Sequence, residues 1–217
     1  MKRNFLSILF ISVLSLTVLS CKDKAQEAAT TEAEEVTTSI SEATFNADLE
    51  VSTIEWKGFK PTGSHNGVIN IKSGILNTTD GMISGGTFAI DMASLKVIDI
   101  PVEDKGNANL AGHLMSPDFF DVEAYPTANF EITGIEEVDG NMMLSGNLTL
   151  KDATNNITFP VSISNEGDSM TLTSETFTIN RSKWNVKYGS KSFFDNLGDK
   201  FINDDIELKI IVKAAKS

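Results

Sequence analysis

Side chains that could do chemistry concentrate in one stretch, AGHLMSPDFFDVEAYPTANF, which spans residues 111–130. It places His113, one of only two histidines, near Asp118 and Asp121. A metal ion is the first chemistry to consider, but this spacing matches no common site and no second cysteine joins the group. His65, in GSHNG, lies far away along the chain. The residues therefore favour a structural histidine and helix-capping carboxylates over a metal site.

The chain also lacks the patterns of common hydrolases. It contains no Gly-x-Ser-x-Gly, no His-Glu-x-x-His and no glycine-rich phosphate loop. The paired carboxylates Glu136–Glu137 and Asp204–Asp205 are interpreted as solvated turn residues rather than as an acid/base pair. We therefore expect a protein that is not an enzyme and has no catalytic residues.

The first 20 residues are typical of an export signal. A basic head precedes an apolar run from Phe5 to Leu19, which is short for a membrane span of about 20 residues. The run ends in VLSC, a tetrad that resembles a bacterial lipobox, in which a signal peptidase cuts before an acylated cysteine. Cys21 is the only cysteine, so an intrachain disulfide is excluded. We expect a signal peptide over residues 1–20 and a lipid anchor on Cys21.

Residues 21–43 comprise Cys21 followed by KDKAQEAATTEAEEVTTSISEA, which is rich in Ala, Thr and Glu and nearly free of large apolar side chains. Such a segment buries too little apolar surface to order itself. We predict a flexible tether that contributes nothing to the folded core.

The charge of the chain limits its partners. Lys and Arg total 18 against 30 Asp and Glu, a formal net charge of −12. Nucleic acids and anionic lipid headgroups should be repelled by such a surface. Membrane attachment must then come from the lipid anchor.

Residues 44–217 show the period-two alternation of half-buried antiparallel strands, bounded by Gly, Asn and Asp. Hairpins are expected around Asp139–Gly140 and around Asp152–Asn156. About eight strands or more predict an all-β domain, and alternation alone leaves a closed barrel and a sandwich both open. One face of the alternation collects Ile90, Met92, Phe130, Ile132, Leu148, Phe159, Phe177 and Ile179.

One short helix is expected in the opening stretch. Ser116 supplies an N-cap, Pro117 suits the first helical position, and Asp118 places an acid in the first turn. The helix would carry Phe119 and Phe120, and residues 107–114 add a turn or two of helix before it. Although the chain has 13 phenylalanines, most on inner faces, the residues alone favour a conventionally packed core.

Four blocks in order resemble the YceI-like family: HLMSPDFFDVEAYPTANF, GNLTLKDATNNITFPVSI, FTINRSKWNV and NDDIELKIIVKA. The resemblance covers residues 43–215, and the first block is its most specific part. It implies an extended, lipocalin-like antiparallel barrel whose interior holds a long polyisoprenoid or quinone-like lipid in the bacterial periplasm. It implies no catalytic residues and no cofactor besides that lipid.

On this resemblance the expected ligand-binding residues are those of the inner face together with Phe119, Phe120 and Trp184. We expect a lipid carrier or store that is exported and lipid-anchored in the bacterial cell envelope, on the periplasmic side or at the outer membrane. A homodimer is left open. The alternative is a ligand-free structural or stress-related envelope protein whose barrel is filled by side chains and whose partners are other proteins.

Overall fold

The computed structural model describes residues 25–36 and 41–217. The signal peptide and the lipid anchor on Cys21 therefore lie outside the described residues. The strands are β1 (Gln26–Glu27), β2 (Ala29–Glu32), β3 (Ala43–Ala47), β4 (Thr53–Lys60), β5 (Gly63–Thr79), β6 (Met82–Val97), β7 (Thr127–Val138), β8 (Asn141–Leu150), β9 (Ala153–Asn165), β10 (Ser169–Ser174), β11 (Phe177–Asn180) and β12 (Asp205–Lys216). Helix α1 spans Lys105–Met115, and short 3₁₀ helices span Arg181–Trp184 and Gly198–Lys200.

Eight strands close into an antiparallel ring in the order β4, β5, β6, β7, β8, β9, β10, β12 and back to β4. Closure occurs where β12 pairs with β4 and places Leu208 opposite Trp56. The predicted alternation is visible in β9, where Phe159 is buried inside the ring and Ser162 is exposed on the other face. The predicted all-β, lipocalin-like barrel is therefore confirmed, and the sandwich is not what forms.

Both predicted hairpins are present. Asp139 and Gly140 connect β7 to β8, and both have positive φ (51° and 79°), as a two-residue type I′ turn requires. The next hairpin turns at Lys151 and Asp152, with Lys151 at φ 56°, and β9 already begins at Ala153. The second reversal is therefore tighter than the predicted turn over Asp152–Asn156.

Helix α1 confirms the turn or two of helix predicted over residues 107–114, whereas no helix begins at Ser116. Its N-cap is Asp104, whose side chain accepts a hydrogen bond from the backbone N–H of Gly106. Ser116 is its C-cap, and both its backbone N–H and its hydroxyl donate to the carbonyl of His113. Pro117 has no N–H to continue the helical hydrogen bonds, so it stops this helix instead of starting another. The predicted start at Ser116 was wrong, and Phe119 and Phe120 lie in the turns that follow α1.

The N-terminal segment departs from the predicted flexible tether. Strand β10 lies between β9 and β12 over one part of the barrel wall, and farther along β12 the strand β11 takes its place. There, β9 and β11 do not pair with each other. The segment Gln26–Glu32 lies between them, because β1 pairs in parallel with β11 and β2 pairs antiparallel with β9. Ala28, which is 4% exposed, joins the core at this point. Unpaired strand edges offer backbone partners to any sequence, so a segment without large apolar side chains can still be ordered there.

The interior of the ring divides into two halves. The half near the β5–β6 and β7–β8 hairpins is densely filled, with Leu76, Leu144 and Met170 each at most 2% exposed. At the opposite end, α1 and the segment between β11 and β12 lie near the strand ends. The open space inside the barrel is found at that second end.

Candidate ligand cavity

A cavity of about 280 Å³ occupies the end of the barrel beside α1. Its lining combines side chains of β4, β5, β6, β7, β8, β9, β11 and β12 with side chains of α1 and of the turn that follows it. Most of the lining is aliphatic or aromatic. Exposed Lys60 and half-buried His65 mark the side where the cavity approaches solvent.

Nine of the eleven predicted ligand-binding residues lie on this lining: Ile90, Met92, Phe119, Phe120, Phe130, Leu148, Phe159, Phe177 and Ile179. Ile132 and Trp184 do not. Ile132 is 2% exposed and packs in the filled half, close to the backbone at Gly86. Trp184 is fully buried outside the lining, and its Nε1 donates to the Leu148 carbonyl at 2.9 Å. Contact of the nine with a ligand stays a prediction.

Stacked phenylalanines form the inner wall of the cavity. The rings of Phe159 and Phe177 are parallel within 8° with centroids 4.2 Å apart, and Phe130 lies 6.0 Å from Phe159. Gly146 leaves room for this arrangement, because a Cβ there would come within 2.2 Å of the Phe130 ring. Large flat side chains held this way give a smooth apolar surface suited to a hydrocarbon chain.

The residue-level prediction missed several lining residues. Ile54 and Trp56 of β4 line the cavity, as do Ile157 of β9 and Leu208 of β12. Ile54 and Trp56 lie two residues apart in the alternating stretch STIEWKGF, so period-two alternation carried this signal. Arg181 was also missed, since no pattern marks a charged residue as part of an apolar lining.

Arg181 is a fully buried cation at the edge of the cavity. Its Nε donates to the carbonyl of Asn203 at 3.1 Å, its Nη1 to that of Val186 at 2.7 Å and its Nη2 to that of Ile202 at 3.1 Å. Burial lowers the pKa of this guanidinium from its ordinary value, and the Asp204 carboxylate, 3.3 Å from Nη2, opposes the shift. The side chain remains cationic, and its hydrogen bonds join distant residues of the segment between β11 and β12.

Both histidines lie on the cavity lining, and each contacts a neighbouring side chain. The ring of His113 meets Tyr188 edge to face at 4.6 Å and Phe119 at 6.1 Å, while Asp121 adopts φ 51° in the turn after α1. His65 Nδ1 lies 2.8 Å from Asp99 Oδ2 near the opening. Partial burial acts to raise the pKa of Asp99, but hydrogen bonds from the Asn66 backbone N–H and from His65 outweigh it, so this pKa lies below its ordinary value. In residues 25–36 and 41–217 no three His, Cys, Asp or Glu side chains cluster as metal ligands would.

A closed antiparallel barrel with an apolar cavity at one end defines the class of lipocalin-like proteins. Within that class, the YceI-like domain family matches residues 35–214. The chain therefore belongs to the YceI-like family, as its motifs predicted. Over the described residues no helix is long and apolar enough to cross a membrane.

Known structures share the fold. BcnA of Burkholderia cenocepacia is 22% identical with a TM-score of 0.60, over 78% of this chain and 99% of BcnA. A polyisoprenoid binding domain from Saccharophagus degradans, implicated in plant cell wall breakdown, is 14% identical with a TM-score of 0.60, over 80% of this chain and 98% of that domain. A search of curated proteins found no match.

Proposed function

We propose that this protein binds and carries, or stores, a long apolar lipid of the polyisoprenoid or quinone class. The observation that carries the proposal is the cavity itself, an apolar chamber walled by stacked phenylalanines within a closed barrel. The fold shared with a polyisoprenoid binding domain supports it.

The size of the cavity constrains how such a lipid fits. At about 280 Å³ it lies just below the range of about 300–1,000 Å³ for ligand pockets. A long chain therefore places only part of its length inside, and the remainder must pass through the opening near Lys60 and His65 or displace neighbouring side chains.

The energetics favour a long ligand. Burying ten methylene groups contributes about 8 kcal/mol gross, whereas association costs about 4–15 kcal/mol. A short acyl chain would therefore bind weakly, and affinity rises as the chain fills the lining and the region around the opening.

A binding role, rather than an enzymatic one, also forms part of the proposal. Three N–H groups of Arg181, the buried cation at the cavity, donate to backbone carbonyls, and its Nη2 also faces the Asp204 carboxylate. The remaining lining is mostly hydrocarbon, which suits retention of an apolar molecule better than charge transfer to it.

We further propose that the protein is exported and held in the bacterial cell envelope by a lipid on Cys21. The support is the apolar run that ends in VLSC, together with an acidic composition that offers no basic surface for membrane attachment. The test is metabolic labelling with a radioactive fatty acid in the native host. The parent should be labelled and Cys21→Ser should not, and equal labelling of both would remove the anchor.

The ligand is tested by extracting protein purified from its own envelope with organic solvent and analysing the extract by mass spectrometry. The parent should yield a long-chain isoprenoid or quinone in stoichiometric amount. Phe177→Trp should yield less, because the larger ring narrows the cavity at a cost of about 1–3 kcal/mol of overpacking.

The matched control is Ser162→Trp, which adds an indole to the exposed outer face of β9. It should keep the full complement of lipid. If the parent yields no apolar compound above background, the carrier proposal fails and a ligand-free structural envelope protein takes its place.

A further inference from the structure

The exposed aromatic side chains lie close together in one segment. Tyr188, Phe193 and Phe194 are 45%, 41% and 49% exposed, and within residues 25–36 and 41–217 every other Phe, Tyr or Trp is at least half-buried. All three belong to residues 187–201, which lie in the connection between β11 and β12 and are called the aromatic loop here. Apolar side chains that gather on the surface of a domain mark a surface of interaction.

Hydrogen bonds build the turn that presents two of these rings. Ser190 is fully buried, and its carbonyl accepts hydrogen bonds from the backbone N–H groups of Phe193 at 3.3 Å and Phe194 at 3.0 Å. Its hydroxyl accepts another from the N–H of Ser192, whose own hydroxyl donates to the Asp204 carboxylate at 2.7 Å. The turn is therefore a closed structure that keeps both phenylalanine rings at the surface.

The aromatic loop lies at the open end of the barrel. Ile202 and Asn203, the two residues that follow the loop, line the cavity. The backbone N–H of Asn203 donates to the carbonyl of Phe59 at 2.9 Å, and Phe59 immediately precedes Lys60, which marks the opening. Whatever binds the aromatic loop therefore adjoins the cavity.

The N-terminal chain joins the barrel beside this loop. A carboxylate oxygen of Glu27 in β1 lies 3.7 Å from the ammonium of Lys183, in the 3₁₀ helix just before the loop. Phe194 lines a shallow cleft together with Asn185, so the loop folds back toward the same place. Cys21 is six residues before Glu27, and six extended residues span at most about 22 Å. A bilayer that holds a lipid on Cys21 is therefore within reach of the aromatic loop.

The charges of the aromatic loop suit a membrane surface. The loop has three lysines and two aspartates, whereas the whole chain has 18 basic and 30 acidic residues. The ammonium of Lys187 lies 5.1 Å from the centre of the Phe193 ring, and that of Lys191 lies 3.5 Å from the centre of the Phe201 ring. At a membrane interface such pairs turn the ammonium to the headgroups and the ring to hydrocarbon. The loop thus lacks the acidic excess that repels the rest of the chain from anionic headgroups.

We propose that the aromatic loop docks on the lipid bilayer, with Phe193 and Phe194 inserted among the headgroups, so that the open end of the barrel faces the membrane. This inference rests on the proposed function and deepens it by naming the route of the ligand. A long lipid would pass between bilayer and cavity at the docked end, where its apolar chain is shielded from water.

The test places one fluorophore on the acylated protein purified from its own envelope. Phe193→Cys and Phe194→Cys each replace an exposed ring with a thiol for an environment-sensitive dye. Val138→Cys is the matched control, because Val138 is 44% exposed and ends β7 at the filled end of the barrel. The parent, whose only cysteine is Cys21, is treated with the same dye and gives the background. Each protein is reconstituted into phosphatidylcholine vesicles.

A dye at position 193 or 194 should emit at shorter wavelength on the vesicles than in buffer. Quenching by spin-labelled phosphatidylcholine should place it about 5–10 Å below the headgroup surface, the depth typical of interfacial segments. A dye at position 138 should emit as it does in water.

Three results would overturn the inference. The first is water-like emission at both 193 and 194 on the vesicles. The second is an equal shift at 138, which would mean that the open end is not the docked end. The third is a shift at 193 and 194 in concentrated protein without vesicles, which would assign the loop to contact with a second copy of the chain.

Organic extraction of the parent tests the carrier separately. Extracted lipid together with water-like emission at 193 and 194 removes the docking surface and leaves the carrier. A shift at 193 and 194 without extracted lipid keeps the membrane contact and removes the carrier.

Discussion

Replacing Arg181 with Met should destabilise the barrel by about 3–5 kcal/mol, the range measured when one partner of a buried ion pair is removed. Met keeps the apolar stem and deletes the guanidinium. The change leaves the Asp204 carboxylate, whose side chain is 14% exposed, without its cation, and three backbone carbonyls without their donor.

Replacing Asp204 with Asn should lower the stability of the fold by less than Arg181→Met does. The three hydrogen bonds of Arg181 to backbone carbonyls remain, and the Asn side chain keeps an oxygen close to the guanidinium. The expected loss is about 1–2 kcal/mol, the scale of one interaction with a charged group. Comparing the two losses of stability therefore tests whether the backbone carbonyls contribute more than the Asp204 carboxylate to holding Arg181.

Urea denaturation followed by tryptophan fluorescence measures both losses, and thermal unfolding should show the Arg181→Met midpoint lower by about 6–20 °C. Lys183→Met is the control: its ammonium lies 3.7 Å from Glu27, and the two side chains are 38% and 53% exposed, so its loss should be small. A cost below about 1 kcal/mol for Arg181→Met, or a larger cost for Asp204→Asn, would refute the reasoning.

Two further predictions concern the N-terminal segment and pH. Deleting residues 22–40 should speed amide hydrogen exchange at residues 155–158 and 177–178, because the edges of β9 and β11 lose their partners, while β5 and β6 exchange as before. Unchanged exchange at those edges would mean that the segment is a flexible tether, as the sequence predicted. Since the folded-state pKa of Asp99 is lowered, its stabilisation is present above the unfolded value of about 3.9 and is lost as pH falls through the folded value. The melting temperatures of wild type and Asp99→Asn should therefore converge below about pH 4, and a constant difference from pH 6 to 3 would contradict this.

Local patterns predicted most of the fold, including helix over residues 107–114, but also predicted a helix start at Ser116 that does not form. Alternation and turn residues locate the strands because each inward side chain and each reversal is a local requirement. The signals around Ser116 are equally local yet ambiguous, since Ser-Pro-Asp suits both the end of one helix and the start of another. In the structure Asp104 caps the N-terminus of a helix that ends at Ser116, and no residue near Ser116 indicates in the sequence that a helix ends there.

The cavity depends on side chains that are distant in sequence. Phe130 and Ile132 share a strand and a face, yet Phe130 lines the cavity and Ile132 is packed in the filled half. Period-two alternation assigns both to the interior and cannot say which layer is filled, because that depends on residues such as Leu144 and Gly86 on other strands. Alternation cannot predict that Arg181 and Asp204 form an ion pair for the same reason.

The ordered N-terminal segment changes how the proposed lipid anchor would present the barrel. A flexible tether over residues 21–43 would let the barrel move tens of ångströms from the membrane, at up to about 3.6 Å for each residue. In the structure the wall of the barrel already includes Gln26, five residues after Cys21. Five extended residues span at most about 18 Å. A lipid on Cys21 would therefore hold the β9–β11 side of the barrel close to the bilayer surface, and hydrogen bonding along β1 and β2, rather than the length of the predicted tether, would set that distance.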